Sequence, residues 1–331
     1  MTKVFQIKLY PRLSIDSARR VRQLGHTLNG QVCSKCGKRI VRHLPRIAGP
    51  WLAGSYDSDR AAAKGAQDAL TLVFPTLEKI AGLRKTFHRP ILEYCRDTLL
   101  HETVQTLSDE RTVSPDDAAA TYARVVATSL AVVTTLLNSL PEEETSKQYH
   151  IYEEIFGDNK LWDFANHPDV AVRRSLHRLV QSALSKQAGL IEANLKIAST
   201  AYIYKGLTSD QTGSAADYVG ALDALTSSFP AIWTDAYSGK KPAISRLRQH
   251  LKHGSRSGTP TTGSVSVSSL RRSHNQYCQR RMRKPLICFT QREMVFRAER
   301  RGSTHQRLGR HTSRSSLSLQ QEWEMEIERS C

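Results

Sequence analysis

The stretch QVCSKCGKRIVRHL, residues 31–44, gathers the side chains of this chain best suited to chemistry. Cys33 and Cys36 form a CxxC, and His43 follows seven residues after the second cysteine. Thiolates and imidazole are zinc ligands, but a structural zinc site wants four ligands, usually as two close pairs on turns. The second pair is missing: Cys95 stands alone in PILEYCRD, which reads as helix. A packing role explains these cysteines better. Leu24, Leu28, Val32, Cys36, Ile40 and Leu44 recur every four residues, so Cys36 fills a slot in an apolar helical stripe and Cys33 sits at its edge. Gly30 and Gly37 are poor helix formers and mark where that helix would break. No metal ligand and no cofactor is expected here.

Other spellings carry less. GSRSG at 254–258 has Arg256 where a nucleophile elbow needs serine, and lacks the strand-then-helix frame. Gly239, Lys240, Lys241 and Pro242 lack the upstream glycine and the Ser/Thr of a phosphate loop. His177, between Leu176 and Arg178, reads as a partly exposed helical residue and not as a base. No catalytic residue is expected. What remains is a basic cluster. Arg19, Arg20, Arg22, Lys38, Arg39 and Arg42 flank the apolar stripe and are the candidate partner-binding residues. They suit RNA phosphate or an acidic protein surface, and the plainer alternative is a solvated face.

The elements that would position this cluster are helices. Val172, Leu176, Leu179, Val180 and Ala183 share one helical face, and Ile191, Leu195, Ala198 and Tyr202 repeat that spacing. Tyr218, Leu222, Leu225 and Phe229 do so again before Pro230. A weak internal repeat sets Asp59, Ala62, Ala66, Ala69, Leu70 and Val73 against Asp169 and the Val172 series. In each copy an aspartate caps a helix. Helical hairpins of this kind cannot bury their apolar faces alone and stack into HEAT/ARM-like solenoids. Ser114 and Pro115, followed by Asp116 and Asp117, predict a helix start, with the helix running to about Leu140. The uncharged run 125–140 is slightly short for a membrane span and reads as a buried helix. The fold class is all-α.

Composition sets the outer limits. The net charge is +17, and residues 254–331 hold 15 Lys+Arg against 6 Asp+Glu. That segment begins GSRSGTPTTGSVSVSSL and stays poor in apolar residues, so a disordered basic tail is expected. Frameshifted or unspliced coding text is favoured over an RNA-binding tail. Six scattered cysteines and no secretory signal point to reduced thiols in the cytosol, with no membrane association. The expected division is an extension at 1–12, a solenoid at 13–253 and the tail at 254–331.

Several long stretches, in order, resemble the N-terminal region of the listerin family in its fungal form. They are RLSIDSARRVRQLGHTLNGQV, GPWLAGSYDSDRAAAKGAQDAL, PILEYCRD, TLSDERTVSPDDAAATYARVV and DVAVRRSLHRLVQSAL. The resemblance covers roughly residues 12–258. It implies a long HEAT/ARM-type solenoid belonging to an E3 ubiquitin ligase of ribosome-associated quality control. Its N-terminal region would dock on large ribosomal subunits and on a quality-control partner. A zinc-binding RING far downstream would recruit the E2. The cysteines of this chain do not spell a RING, so this chain is expected to act as docking scaffold and as a monomer. The other readings are a different HEAT-type scaffold or transport factor, or a basic RNA-binding protein.

Overall fold

The computed structural model describes residues 8–109 and 111–233. The expected tail, the far end of the expected solenoid and residues 1–7 of the extension lie outside the described residues. Among the described residues there is no strand. Within these residues nine helices of nine residues or more carry the architecture: α1 (Arg19–Cys36), α2 (Leu44–Gly54), α3 (Arg60–Val73), α4 (Leu77–Thr86), α5 (His88–Leu100), α6 (Pro115–Ser139), α7 (Tyr149–Gly157), α8 (Val170–Lys186) and α9 (Ala215–Ser228). The described residues form an all-α helical solenoid.

The helix starts follow local chemistry. Asp59 Oδ1 accepts from the N–H groups of Ala61 and Ala62, both at 3.0 Å, and opens α3. Asp169 Oδ1 accepts from Ala171 and Val172 at 2.7 and 3.3 Å and opens α8. Both aspartates of the internal repeat therefore satisfy N–H groups that a helix start leaves without partners. Ser114 Oγ accepts from the Asp117 N–H at 3.2 Å, Pro115 takes the first helical position, and α6 ends at Ser139.

Helices that pack along their length run parallel. Gln23 of α1 meets Gly65 of α3, and Gly30 meets Ala69, so the two helices advance together. A Cβ at Gly30 would lie 2.6 Å from that of Ala69, which makes this crossing one that only glycine allows. Helix α2, between them in sequence, runs back, so that its last residue, Gly54, lies against His26. Helices α6 and α8 advance together too: Tyr122 lies by His167, and Asn138 Nδ2 donates to Ser182 Oγ at 3.1 Å. In the α8–α9 pair, Arg178 bonds Asp217 and Gln181 meets Gly220. Helix α6 is long and apolar enough to cross a membrane, yet 67% of its apolar window is buried inside the body. Val126, Leu130, Val133 and Leu136 are fully buried, and α6 packs on α2, α5 and α8. It is the spine of the fold. Full burial of each such side chain contributes on the order of 2 kcal/mol.

Two expectations are corrected. The ladder from Leu24 to Leu44 is not one buried stripe. Leu24 is 57% exposed and Leu28 36%, Val32 and Cys36 are half-buried, and only Ile40 and Leu44 reach the core. The inner face of α1 is instead Arg22, Gly25, His26, Asn29, Gly30 and Cys33. Steps of four residues drift about 40° around a 3.6-residue helix, so a long ladder winds from the outside inward. The helix also ends at Cys36, because Gly37 adopts φ 53° and a 3₁₀ helix, Gly37–His43, follows. The second correction concerns residues 191–202, which form no single helix. They divide into Ala188–Glu192, Leu195–Ser199 and a π-helical Thr200–Lys205. Asn194 Nδ2 donates back to Leu190 O at 2.9 Å at the break, a side chain competing with the helical ladder.

Candidate docking surface

The basic cluster is built on the outer side of α1 and on the 3₁₀ helix after it. Arg20, Lys38, Arg39 and Arg42 are exposed. The Arg19 side chain is 72% exposed and approaches Asp59 at only 3.8 Å. The 3₁₀ geometry brings residues three apart into line, so Arg39 and Arg42 project together and Lys38 aligns with Val41, itself 53% exposed. Lys35 and Arg46, which the sequence reading passed over, are exposed on either side. None of Lys35, Lys38, Arg39, Arg42 and Arg46 is in an ion pair with a described residue. The sequence signal for this face is its one-sidedness: residues 1–46 hold eleven Lys+Arg and one acid, Asp16.

Arg22 does not belong to that surface. It is 4% exposed and faces the core. Its Nε and Nη2 donate to the two Asp57 carboxylate oxygens at 2.7 and 3.0 Å, and its Nη1 donates to Asp16 O and Ser17 O at 2.8 and 3.0 Å. Arg124 of α6 donates to Ile15 O and Asp16 O at 2.9 and 3.1 Å and stands 3.7 Å from Asp57. One carboxylate thus serves two guanidinium groups, that of Arg22 buried and that of Arg124 half-buried. Burial, with the adjacent Arg22 charge, brings the Arg124 pKa down to about 10. The four-residue step from Arg22 leads to His26, fully buried, whose Nδ1 shares a hydrogen bond with Tyr10 OH at 3.1 Å.

The cysteines exchange their expected places. Cys33 is 1% exposed in the core, its Sγ 3.6 Å from Asn29 Oδ1, whereas Cys36 is half-buried at the edge. His43 is buried on the 3₁₀ helix. No group of three His, Cys, Asp or Glu gathers as a metal site among the described residues.

Helix α8 repeats the α1 arrangement 151 residues later, a register the sequence reading did not find. VRQLGH at 21–26 answers to VRRSLH at 172–177. Arg173 Nη1 donates to His167 O and Pro168 O at 2.8 and 2.9 Å, the same offsets as Arg22 with Asp16 and Ser17. Its Nε reaches Ser214 Oγ at 2.9 Å and its Nη2 reaches Thr212 O at 2.6 Å. His177 is fully buried, against the expectation of partial exposure, and its Nδ1 meets Tyr202 OH at 2.9 Å. Burial lowers both His26 and His177 to a pKa of about 4, so both are neutral in the folded chain near pH 7. These groups clamp helix starts together: each imidazole is spent on a buried tyrosine hydroxyl, and each arginine on the carbonyls that precede its helix.

The N-terminal domain of E3 ubiquitin-protein ligase listerin matches residues 2–262. E3 ubiquitin-protein ligase listerin of Neurospora crassa is 34% identical over 252 residues, covering 76% of this chain and 15% of that protein. The listerin of Gallus gallus is 26% identical over 249 residues, covering 75% of this chain and 14% of that protein. The listerin of Schizosaccharomyces pombe is 28% identical over 185 residues, covering 52% and 11%. The chain spans about 15% of the length of the first of these relatives. The match runs through both arginine–histidine units and the basic face, and on this ground the chain belongs to the listerin family, as its N-terminal domain.

Proposed function

We propose that this chain is the docking part of a listerin-type E3 ubiquitin ligase, seating the ligase on large ribosomal subunits whose nascent chains are to be ubiquitinated in the cytosol. The family match over residues 2–262 carries this reading. The unneutralised cations of α1 and the 3₁₀ helix support it, since ribosomal surfaces are polyanionic and Lys/Arg contacts to phosphate release counterions. In this reading ubiquitin transfer belongs to a zinc-binding RING that recruits the E2. The six cysteines of this chain, at 33, 36, 95, 278, 288 and 331, do not spell such a RING. In this reading zinc belongs to that RING, and the chain acts as a monomer.

Cosedimentation with purified large subunits at two salt concentrations tests the reading. The full chain is expected in the subunit pellet, with binding that weakens as salt rises. Charge reversal at Lys38, Arg39 and Arg42 is expected to lower it by at least about ten-fold. Removing residues 254–331 is expected to leave it in place. Binding lost with that segment and indifferent to the triple reversal would refute the docking face. An assay with E1, E2 and this chain alone is expected to show no transfer above the E2-only level.

A further inference from the structure

The 151-residue register shows what α1 lacks. On α8 the positions equivalent to Leu24, Leu28 and Val32 are Ser175, Leu179 and Ala183. Leu179 and Ala183 are fully buried and Ser175 half-buried. They lie on the side of α8 that Ser182 shares, and there α6 packs along α8 in parallel. On α1 the same side has no such helix among the described residues. Leu24 and Leu28 stand 57% and 36% exposed, with Val32 and Cys36 half-buried in line behind them. Two leucines open to water at an interval of four, with Val32 half-buried at the next step, are the imprint of a helix-binding edge.

We propose that this edge of α1 takes an amphipathic helix of another protein, laid along Leu24, Leu28 and Val32 as α6 lies along α8, with acidic residues on its margins. The charge fixes the class of occupant. Arg20 and Lys35 border the edge at its two ends, both exposed, and Asp16 is the sole acid in residues 1–46. A second copy of this chain would bring the same excess of cations against it and be repelled. Nucleic acid would satisfy the cations but leave the leucines against phosphate and water. An acidic amphipathic helix satisfies both. The inference does not rest on the ribosomal reading, and it is tested without ribosomes.

The test uses the full chain and two synthetic 18-residue helical peptides. Both carry leucine at i, i+3, i+4 and i+7; one has glutamate at the margins and the other lysine. Fluorescence anisotropy is expected to show the glutamate peptide bound at least about ten-fold more tightly than the lysine peptide. The double variant Leu24→Asp/Leu28→Asp is expected to lose at least about ten-fold of that affinity while melting at the wild-type temperature, since both residues are exposed. Lys35→Glu is expected to weaken only the glutamate peptide. Equal affinity for the two peptides, or a double variant that binds as wild type, would overturn the proposal. So would self-association that the double variant abolishes, which would make a second copy the occupant. Binding of a 20-nucleotide RNA lost in the same variant would give the edge to nucleic acid and overturn it as well.

Discussion

Helices α1 and α8 are built on one plan and finished differently. Each places an arginine on the carbonyls five and six residues back, and each sets a histidine one turn further into the core against a tyrosine hydroxyl. In the α1 unit the arginine meets a carboxylate, Asp57, that a second arginine also approaches. In the α8 unit it meets only neutral oxygens, Ser214 Oγ and Thr212 O. On the outside, α8 is closed by α6, whereas α1 presents leucines to water. The difference teaches that the inner half of such a helix is fixed by hydrogen bonding at its start. The outer half is left to whichever helix comes next.

The sharpest way to break the comparison is to remove the carboxylate. Asp57→Ala strands the buried guanidinium of Arg22 and removes the carboxylate beside Arg124, and is expected to cost about 3–5 kcal/mol of unfolding free energy. Arg173→Ala removes a charge that had no ionic partner and leaves only neutral acceptors, so about 2 kcal/mol is expected. Urea titration of both variants measures the pair. Equal losses would mean that the two clamps are energetically alike. The outer faces come next. Leu179→Ala opens a cavity beneath α6 and is expected to cost about 2–5 kcal/mol. Leu28→Ala, at the equivalent position, is expected to change stability by less than about 0.5 kcal/mol. A large loss at Leu28 would show that the edge is already occupied within the chain.

The histidines give a pH test common to both units. An unfolded histidine takes up a proton below about pH 6.5, whereas His26 and His177 stay neutral down to about 4. The histidine contribution to folding stability is therefore whole above pH 6.5, falls as pH drops toward 4, and stops falling there. Each histidine contributes up to about 3 kcal/mol to the fall. His88 and His167 are also lowered by burial and add to the same window, so the difference between wild type and His177→Gln isolates one unit. Denaturation midpoints at pH 7.5, 6.0 and 4.5 are expected to converge for the variant and the wild type as pH falls. Parallel curves would mean that His177 is protonated in the fold.

The all-α class, the two aspartate caps and the start of α6 were legible because each depends on residues adjacent in sequence. The α1 core was not, since its inner face includes Arg22, His26 and Asn29, which hydropathy places outside. Their partners, Asp57 and Tyr10, come from beyond the helix, so no spacing within α1 announces them. The apolar ladder was conspicuous for the opposite reason: its first two residues face water, and its four-residue step suits an interface edge as readily as a core. A comparison of VRQLGH with VRRSLH would have shown both points, because a shared arginine–histidine step is improbable on two solvated faces.

The smallest effects lie at the two caps, and they probe whether the units share their helix starts as well as their interiors. Asp169→Ala leaves the N–H groups of Ala171 and Val172 to water and is expected to cost about 1 kcal/mol. Asp59→Ala is expected to act in the same direction and no more strongly, because the Arg19 pairing that distinguishes it is long and exposed. Asp→Asn at either site keeps an oxygen acceptor and is expected to be close to neutral. If Asp59→Asn destabilised far more than Asp169→Asn, the charge and not the acceptor would be what α3 needs. That cap would then belong with the ionic cluster of Arg22 and Asp57, the latter two residues upstream of it, and the α1 unit would differ from the α8 unit along its whole seam.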